Sequence, residues 1–225
     1  MCVNYSTDAL PAEKVAAACR AHGADALVER ANVADDAQCL QLAKRIKDRF
    51  GRCDALVNNA GTTKFVDMKD LDGLKADDFQ RIYAVNVIGA FQMTRAFAAL
   101  LKASAGAAVV NVSSIAALLG AGSSIAYVAS KGALNALTLS LARVLGPQVR
   151  VNAVAPGIVD TPWLKNGLGP ERFEKMRLGY EAASALGGLV SPEDVAETIY
   201  YLSAVALHTT GEVHVVDGGR RLGRL

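Results

Sequence analysis

Short apolar runs rich in β-branched residues alternate along the chain with longer segments in which apolar residues recur at helical spacing. A short continuous apolar run is typical of a buried strand, and the longer recurrence is typical of a helix. The strand-like runs lie at residues 2–5, 26–32, 55–59, 109–112, 149–155 and 211–216. Strands separated by helices predict strand–helix–strand units around a mainly parallel sheet, which is an α/β fold.

Several helices between these runs have recognisable starts and ends. Helices are predicted over residues 11–21, over about fifteen residues from Asp35, and over residues 77–102, 127–145 and 191–203. Ser191 and Pro192 suit a helix start, and Gly146 suits a helix end. Residues 158–190 mix glycine, proline and a short amphipathic stretch, which predicts a loop or small helices over a site.

Composition places the chain among globular proteins. Hydrophobic residues make up 52% of the 225 positions and charged residues 20%, so the chain can bury a core. The length fits one α/β domain and no repeat or low-complexity linker divides it, so we expect a single domain over residues 1–225. A net charge of +2 without a basic stripe offers no footprint for nucleic acid.

Cysteine spacing and the amino terminus indicate a reducing, cytoplasmic setting. The irregularly spaced cysteines are Cys2, Cys19, Cys39 and Cys53. They form no C-x-x-C pair and lie near no histidine cluster, so we expect neither a disulfide framework nor a metal site. The first residues lack the basic start and apolar run of a signal peptide. The uncharged stretch between Lys102 and Lys131 could cross a bilayer by length, but its serines and glycines predict a buried strand, a loop and a helix start rather than membrane association.

A tyrosine and a lysine stand where they could share chemistry. Tyr127 and Lys131 lie one turn apart on one face of the predicted alanine-rich helix. A nearby ammonium favours the phenolate, so the pair could tune the tyrosine for proton transfer. The alternative is a packed ring beside a lysine whose stem covers it. Ser114 ends a strand upstream, where its hydroxyl could donate to a carbonyl oxygen or, with Ser113, simply cap the loop.

Three predicted strand ends converge on one edge of the sheet. Asn58, Asn59, Ala60 and Gly61 end an earlier strand, and a later strand ends in Pro156-Gly157. Ligands bind at the carboxyl ends of parallel strands, so this edge is the predicted site.

In order and spacing these residues resemble the short-chain dehydrogenase/reductase family, including its 3-oxoacyl-acyl-carrier-protein reductases and glucose dehydrogenase-like members, over nearly the whole chain. The matching motifs are N-N-A-G at 58–61, Asn86 in the long helix, V-N-V-S-S ending at Ser114, Y-x-x-x-K at Tyr127 and Lys131, Pro156-Gly157 followed by Thr161, and V-D-G-G at 216–219. The resemblance implies a Rossmann-like, doubly wound parallel sheet.

The resemblance also implies an NAD(P)-dependent oxidoreductase that interconverts a hydroxyl and a carbonyl of a small molecule by hydride transfer. Tyr127 would be the general acid for reduction and the base for oxidation, with Ser114 polarising the substrate oxygen. Lys131 would hold the nicotinamide ribose and lower the pKa of Tyr127. Asn86 would anchor a water that relays the proton, or alternatively would be a buried amide that fixes a helix kink.

A cofactor site follows from the same resemblance. Its predicted residues are Asn32, Val33, Asn59, Ala60, Gly61, Tyr127, Lys131, Pro156, Gly157, Ile158 and Thr161. Asn32 stands where the family usually has Asp near the adenine. Residues 4–7 offer neither an acidic group for an NAD ribose nor a basic group for an NADP phosphate, and Asp8 lies beyond the strand end. NADP is therefore favoured over NAD, because nothing acidic is placed to repel its phosphate.

The chain departs from the family at its start. No G-x-x-x-G-x-G turn occurs, so a strand and helix of roughly 25–30 residues are lacking. In the family's sheet order that strand lies between those beginning near Cys2 and Ala55, which leaves two open central edges. We expect either a start codon assigned too late or a divergent or inactive member. The alternative function is a catalytically inactive or truncated fragment that acts as a binding or oligomerisation module, with the helices from Asp77 and Tyr127 pairing in a homodimer or homotetramer.

The substrate is not determined by the sequence. Residues Trp163, Leu164, Leu168, Phe173, Met176 and Leu178 suggest an apolar lid or, equally, an amphipathic segment that packs its own apolar side. Lys165 and Arg177 could meet an acidic substrate or face water.

Overall fold

All strand pairs in the computed structural model, which describes residues 1–223, are parallel. The strands are β1 (Cys2–Tyr5), β2 (Leu27–Arg30), β3 (Ala55–Asn58), β4 (Ala107–Val112), β5 (Val149–Pro156) and β6 (Val213–Val216). Helices connect them, so the predicted α/β architecture with parallel strands is confirmed.

The helices lie close to their predicted positions. They are α1 (Ala9–Ala21), α2 (Asp36–Phe50), α3 (Ala76–Tyr83), α4 (Ala90–Ala103), α5 (Ala116–Leu119), α6 (Ile125–Leu145), α7 (Pro162–Leu168), α8 (Pro170–Ala183) and α9 (Pro192–Tyr200). A π-helical turn, Ala84–Gly89, joins α3 to α4. The predicted start at residue 11 was two residues late, because Asp8 caps α1 by accepting a hydrogen bond from the Leu10 amide.

The strands form two separate sheets. One has the order β1-β2 and the other has the order β3-β4-β5-β6. Within the described residues, no strand pairs with the facing edges of β1 and β3. A space of about 660 Å³ lies between these edges, and side chains of α2 and α4 such as Ile46 and Met93 line it. We call this space the slot.

Strand β3, which borders the slot, is covered on one face only. Leu56 and Asn58 of β3 are buried, whereas Ala55 and Val57 on its other face are exposed, Val57 by 40%. By contrast, all of β5 is buried. Side chains on opposite faces of a strand alternate, so the exposed pair marks an uncovered face next to the slot.

The main core lies on the side of the sheets that α2, α4 and α6 cover. By length and apolar composition alone, the segment Ala76–Ala103 could cross a membrane. Its residues Met93, Phe97 and Leu101 are buried in this core. Its apolar face is therefore used in packing within the described fold.

Candidate active site

A cleft of about 950 Å³ lies at the carboxyl ends of the parallel strands. The predicted side chains Ser114, Tyr127 and Lys131 all line it. The cleft and the slot share Val57, Asn59 and Ala60 in their linings, so the two spaces meet at the end of β3.

Tyr127 and Lys131 lie on the first turns of α6. Ser124 places the start of this helix, since its hydroxyl accepts a hydrogen bond from the Tyr127 amide. The Lys131 side chain is only 4% exposed, and its Nζ donates to the Val112 carbonyl at 2.7 Å. The same Nζ lies 5.6 Å from the centre of the Tyr127 ring. The ammonium is thus held between the end of β4 and the tyrosine.

Burial dominates the ionisation of both side chains. Burial raises the pKa of Tyr127 to about 12, and the hydrogen bond with Ser114 acts in the opposite, lowering direction. Burial lowers the pKa of Lys131 to about 8. Desolvation of the phenolate prevails in this structure, and the lowering of the pKa of Tyr127 by Lys131 stays a prediction. Tyr127 is therefore a protonated phenol at neutral pH.

Ser114 directly follows the loop that leaves β4. Its Oγ accepts a hydrogen bond from the Ala116 amide at 3.1 Å, so the hydroxyl also caps the short α5. Ser113 is turned away and donates to Asn135 Oδ1 at 2.6 Å. Of the two serines, Ser114 is the one that faces Tyr127.

Asn86 is buried in the π-helical turn, with 1% of its surface exposed. Its Oδ1 accepts from the Thr62 amide at 2.8 Å. Its Nδ2 donates to the Thr62 carbonyl at 3.0 Å and to Ser130 Oγ at 2.9 Å. The Asn86 amide thereby ties the loop after β3 to α6, at the residue next to Gly61 of the cleft lining.

Buried amides also fix the ends of the strands. Asn58 Nδ2 donates to Asn111 Oδ1 at 2.8 Å, and Asn111 Nδ2 donates to Thr138 Oγ1 at 2.9 Å. This chain of bonds joins β3, β4 and α6. It holds the strand ends and the tyrosine helix in one fixed arrangement.

A close approach requires one of the predicted glycines, Gly157, whereas Gly61 has room for a Cβ at ordinary contact distances. A Cβ on Gly157 would lie 1.8 Å from the Tyr180 hydroxyl, which donates to the Asp217 carbonyl at 2.7 Å. A Cβ on Gly61 would contact Asn86 Oδ1 at 3.7 Å and Lys131 Nζ at 3.8 Å. Bare backbone at these strand ends keeps the cleft open beside Lys131.

Most of the predicted cofactor residues line the cleft. Those that do are Asn59, Ala60, Gly61, Tyr127, Lys131, Pro156, Gly157 and Thr161. Asn32, Val33 and Ile158 are not part of its lining. Asn32 Oδ1 accepts from the Ala34 amide in a local turn, Val33 lines the slot, and the Ile158 carbonyl accepts from Val190.

Sequence reasoning missed several residues of the site. Val195 and Ile199 on α9 line the cleft, and their helical spacing could have indicated an inward face. Arg30 lies beside the cleft lining and not within it; it ends β2 opposite Tyr5 in the parallel register, and its Nε donates to the Ser6 carbonyl at 3.1 Å. Only the register brings Arg30 to this strand end, so no local pattern could have shown it.

Comparison with known proteins assigns the chain to a family. A family model described as enoyl-(acyl carrier protein) reductase matches residues 1–221. The crystal structure of a short-chain dehydrogenase/reductase from Burkholderia xenovorans has a TM-score of 0.90 and 41% identity, over 99% of this chain and 87% of that one. The chain belongs to the short-chain dehydrogenase/reductase family.

Two curated relatives of this short-chain dehydrogenase/reductase are named as reductases. Ketoacyl reductase 2 of the granaticin polyketide synthase from Streptomyces violaceoruber is 41% identical over 98% of this chain and 85% of its own length. The 3-oxoacyl-[acyl-carrier-protein] reductase of Synechocystis is 34% identical over 96% of this chain and 85% of its own length. The protein is therefore an NAD(P)-dependent oxidoreductase, and the alternative of an inert binding module is not favoured.

The cleft suits part of a nicotinamide dinucleotide. Lys131, Tyr127 and Asn59 offer donors at one end, beside the bare backbone of Gly61 and Gly157. Ser6 and Thr7 offer hydroxyls at the other end. Between the two ends lies the mouth of the slot, where residues 1–223 supply no glycine-rich turn for a pyrophosphate. The described residues thus fit the two ends of the dinucleotide better than its middle.

Proposed function

We propose that this oxidoreductase reduces a ketone to an alcohol, and oxidises the alcohol in reverse, with Tyr127 as the proton donor. The convergence of Ser114, Tyr127 and Lys131 in one cleft at the strand ends is the observation that carries this proposal. Ser114 follows β4, whereas Tyr127 and Lys131 lie on α6. Closeness in sequence therefore does not explain why the three side chains line one cleft.

The bound NAD(P)H supplies the hydride, and the chain's own residues handle the proton. Ser114 donates a hydrogen bond to the substrate carbonyl and orients it. The protonated Tyr127 gives its phenolic proton to the same oxygen as negative charge develops there. The Lys131 ammonium stabilises the tyrosinate that remains, and its donors not bound to Val112 would hold the ribose of the cofactor. Asn86 holds the loop and helix that carry these groups, and its role as a water anchor stays a proposal.

The direction of the Tyr127 pKa favours reduction. A phenol with a pKa of about 12 is protonated throughout the neutral range, which is the form that reduction consumes. Oxidation needs the deprotonated form, and the population of that form rises with pH. We expect oxidation to require a higher pH than reduction.

We further propose NADP as the preferred cofactor. The Ser6 and Thr7 hydroxyls lie at the adenosine end of the cleft, and the Arg30 guanidinium bonds to the Ser6 carbonyl. A guanidinium suits a phosphate, whereas an NAD ribose is usually bound by a carboxylate. Asp8 also lines this end of the cleft, and one of its carboxylate oxygens caps α1 by accepting from the Leu10 amide.

An oligomer in the cytoplasm completes the proposal. Phe91 on α4 and Leu139 and Val144 on α6 expose their apolar side chains, Val144 by 72%. Exposed apolar side chains on neighbouring helices are suited to subunit contact. We propose that the chain is one domain that forms a homodimer or homotetramer through these two helices.

Fluorescence titration of NADPH and NADH into the purified 225-residue chain tests the proposal. We expect saturable binding of NADPH with an affinity at least about tenfold above that of NADH. Arg30→Glu should remove this preference, while Arg45→Glu, a neighbouring arginine paired with Glu29, should retain it. Absence of binding in a well-folded sample would contradict the enzyme assignment of this chain, and equal affinities would contradict only the NADP preference.

A further inference from the structure

The rings of Trp163 and Phe65 form an aromatic surface beside Tyr127, which we call the wall. The Trp163 ring at the start of α7 lies 6.3 Å from the Tyr127 ring and 6.0 Å from the Phe65 ring, measured between centroids. These spacings are those of interacting aromatic pairs. Trp163 nevertheless remains 45% exposed and lines the cleft with its neighbour Leu164. One face of the wall is thus available to a ligand beside Tyr127.

The wall is held in place before any ligand binds. A Cβ on Gly167 would lie 2.1 Å from Phe65 Cε2, so the Phe65 ring packs directly against the backbone of α7. The loop that carries Phe65 is fixed in turn, since the Val66 amide donates to the Ser123 carbonyl at 2.9 Å. Thr63 Oγ1 and Ser123 Oγ are 2.7 Å apart. A preformed wall costs little ordering free energy when a ligand binds.

Cations around the wall are already paired with carboxylates. Lys64 bonds Asp78 at 2.7 Å, and Lys165 bonds Asp160 at 2.6 Å. On α8, Arg177 is held between Glu174 and Glu181, at 2.6 and 2.7 Å. An acidic substrate group would therefore have to displace an existing ion pair.

Only one cation lines the cleft itself among the described residues. Lys131 is that cation, and it is buried and bonded to the Val112 carbonyl. The proposed function assigns its remaining donors to the cofactor. A carboxylate or phosphate on the substrate would thus be desolvated without a partner, which is costly.

On the basis of the proposed function, we infer that the site takes an uncharged ketone carried on a fused-ring or aromatic body. Trp163 is the residue that selects it. The ring system lies against the indole while the carbonyl reaches Tyr127 and Ser114. Small ketones reach the same two groups but leave the wall uncovered, and keto acids lack a cationic partner.

Binding is tested without turnover by using the oxidised cofactor. Trp163 is the only tryptophan in the chain, so its fluorescence reports on ligand at the wall. With saturating NADP, trans-1-decalone should change this fluorescence with an affinity about tenfold or more above that of cyclohexanone. The keto acid levulinate should give no saturable change. Equal affinities for the two ketones, or tighter binding of levulinate, would overturn the inference.

Turnover of variants tests Trp163 itself. Trp163→Ala should lower kcat/KM for trans-1-decalone about tenfold, chiefly through KM, and change that for cyclohexanone about twofold or less. Trp163→Phe should restore most of the loss. The control Leu207→Ala removes another exposed apolar side chain, which lines neither the cleft nor the slot, and should leave both values unchanged. An unchanged ratio of the two kcat/KM values in Trp163→Ala would refute the role of the wall.

The binding and turnover results separate the two proposals. If the wild-type chain reduces none of the ketones, the proposed function fails, while the fluorescence titration still decides the ligand class. If it reduces levulinate best, the function stands and this inference fails.

Discussion

At the scale of single residues, burial sets the protonation of the two central side chains. Lys131 has few polar neighbours besides the Val112 carbonyl, so its ammonium is poorly solvated and its pKa falls to about 8. Tyr127 is held in its protonated form by the same exclusion of water. The site thus holds Tyr127 as a protonated phenol that can donate its proton, and it holds Lys131 as an ammonium with a pKa close to physiological pH.

Removal of the phenolic hydroxyl isolates the proton step. Tyr127→Phe should lower kcat for ketone reduction by about 10²–10⁴, since the general acid is lost, while NADPH affinity changes little. Steady-state kinetics and nucleotide titration measure the two effects. Undiminished turnover in this variant would refute the role assigned to Tyr127.

The charge on Lys131 should appear in the pH profile. The ammonium is present below its pKa of about 8 and is lost above it, so kcat/KM for reduction should fall as the pH rises through 8. Lys131→Arg keeps its charge throughout, so its profile should lack this fall, whatever its absolute rate. A wild-type profile that stays flat from pH 7 to about 9.5 would contradict a requirement for the charged lysine.

At the scale of elements, the end of β5 and helix α8 share one tight contact. Gly157 leaves space for the Tyr180 hydroxyl, and that hydroxyl binds the Asp217 carbonyl after β6. Three segments therefore meet at one phenol. Displacement of the phenol would move α8 relative to the strand ends.

A double-mutant cycle tests this contact. Gly157→Ala should lower the free energy of unfolding by about 1–3 kcal/mol through overpacking. Tyr180→Phe should cost about 1 kcal/mol for the lost hydrogen bond. The double variant should lose less than the sum, because removal of the hydroxyl relieves the clash. Gly132→Ala on α6, where a Cβ meets nothing within 4 Å, is the control and should be neutral or stabilising. Strict additivity in urea unfolding would contradict the contact.

Local signals explain which elements could be predicted. The starts at Asp35 and Ser191 were correct because capping depends on residues that are adjacent in sequence. The π-helical turn could not be predicted, since Asn86 is held there by Thr62 and Ser130, which are distant in sequence. Likewise, sequence motifs predicted the side chains of the site, whereas the positions of Phe65 and Arg30 depend on tertiary packing and strand register.

At the scale of the whole molecule, the slot divides the parallel strands into two sheets. Its walls are two strand edges that pair with no strand of residues 1–223, and the uncovered face of β3 lies beside it. The chain also leaves about 15% of the length of its curated relatives unmatched. We propose that a preceding strand and helix fill the slot and cover Ala55 and Val57, which would also complete the middle of the nucleotide site.

An extended chain tests this proposal. A family-like strand, glycine turn and helix added before Cys2 should raise the midpoint of thermal unfolding by about 5–10 °C and raise NADPH affinity about tenfold or more. The control extension carries two prolines in the strand, which removes backbone donors without changing its length. No difference between the two extensions in either measurement would count against strand insertion.

No described strand joins β1 to β3 by a backbone ladder, so the unit of β1, α1 and β2 is held to the rest by its chain connection to α2 and by side-chain contacts. It packs through Cys2 and Leu27 onto the core formed with α2. Such a unit can open locally without global unfolding, so its amides should exchange with solvent deuterium sooner than those of β4 and β5. The adenosine end of the nucleotide cleft belongs to this unit, at Ser6 and Thr7. Cofactor binding would then oppose this local opening. A nucleotide that contacts both sheets should slow deuterium exchange in β1 at lower nucleotide concentrations than in any other strand.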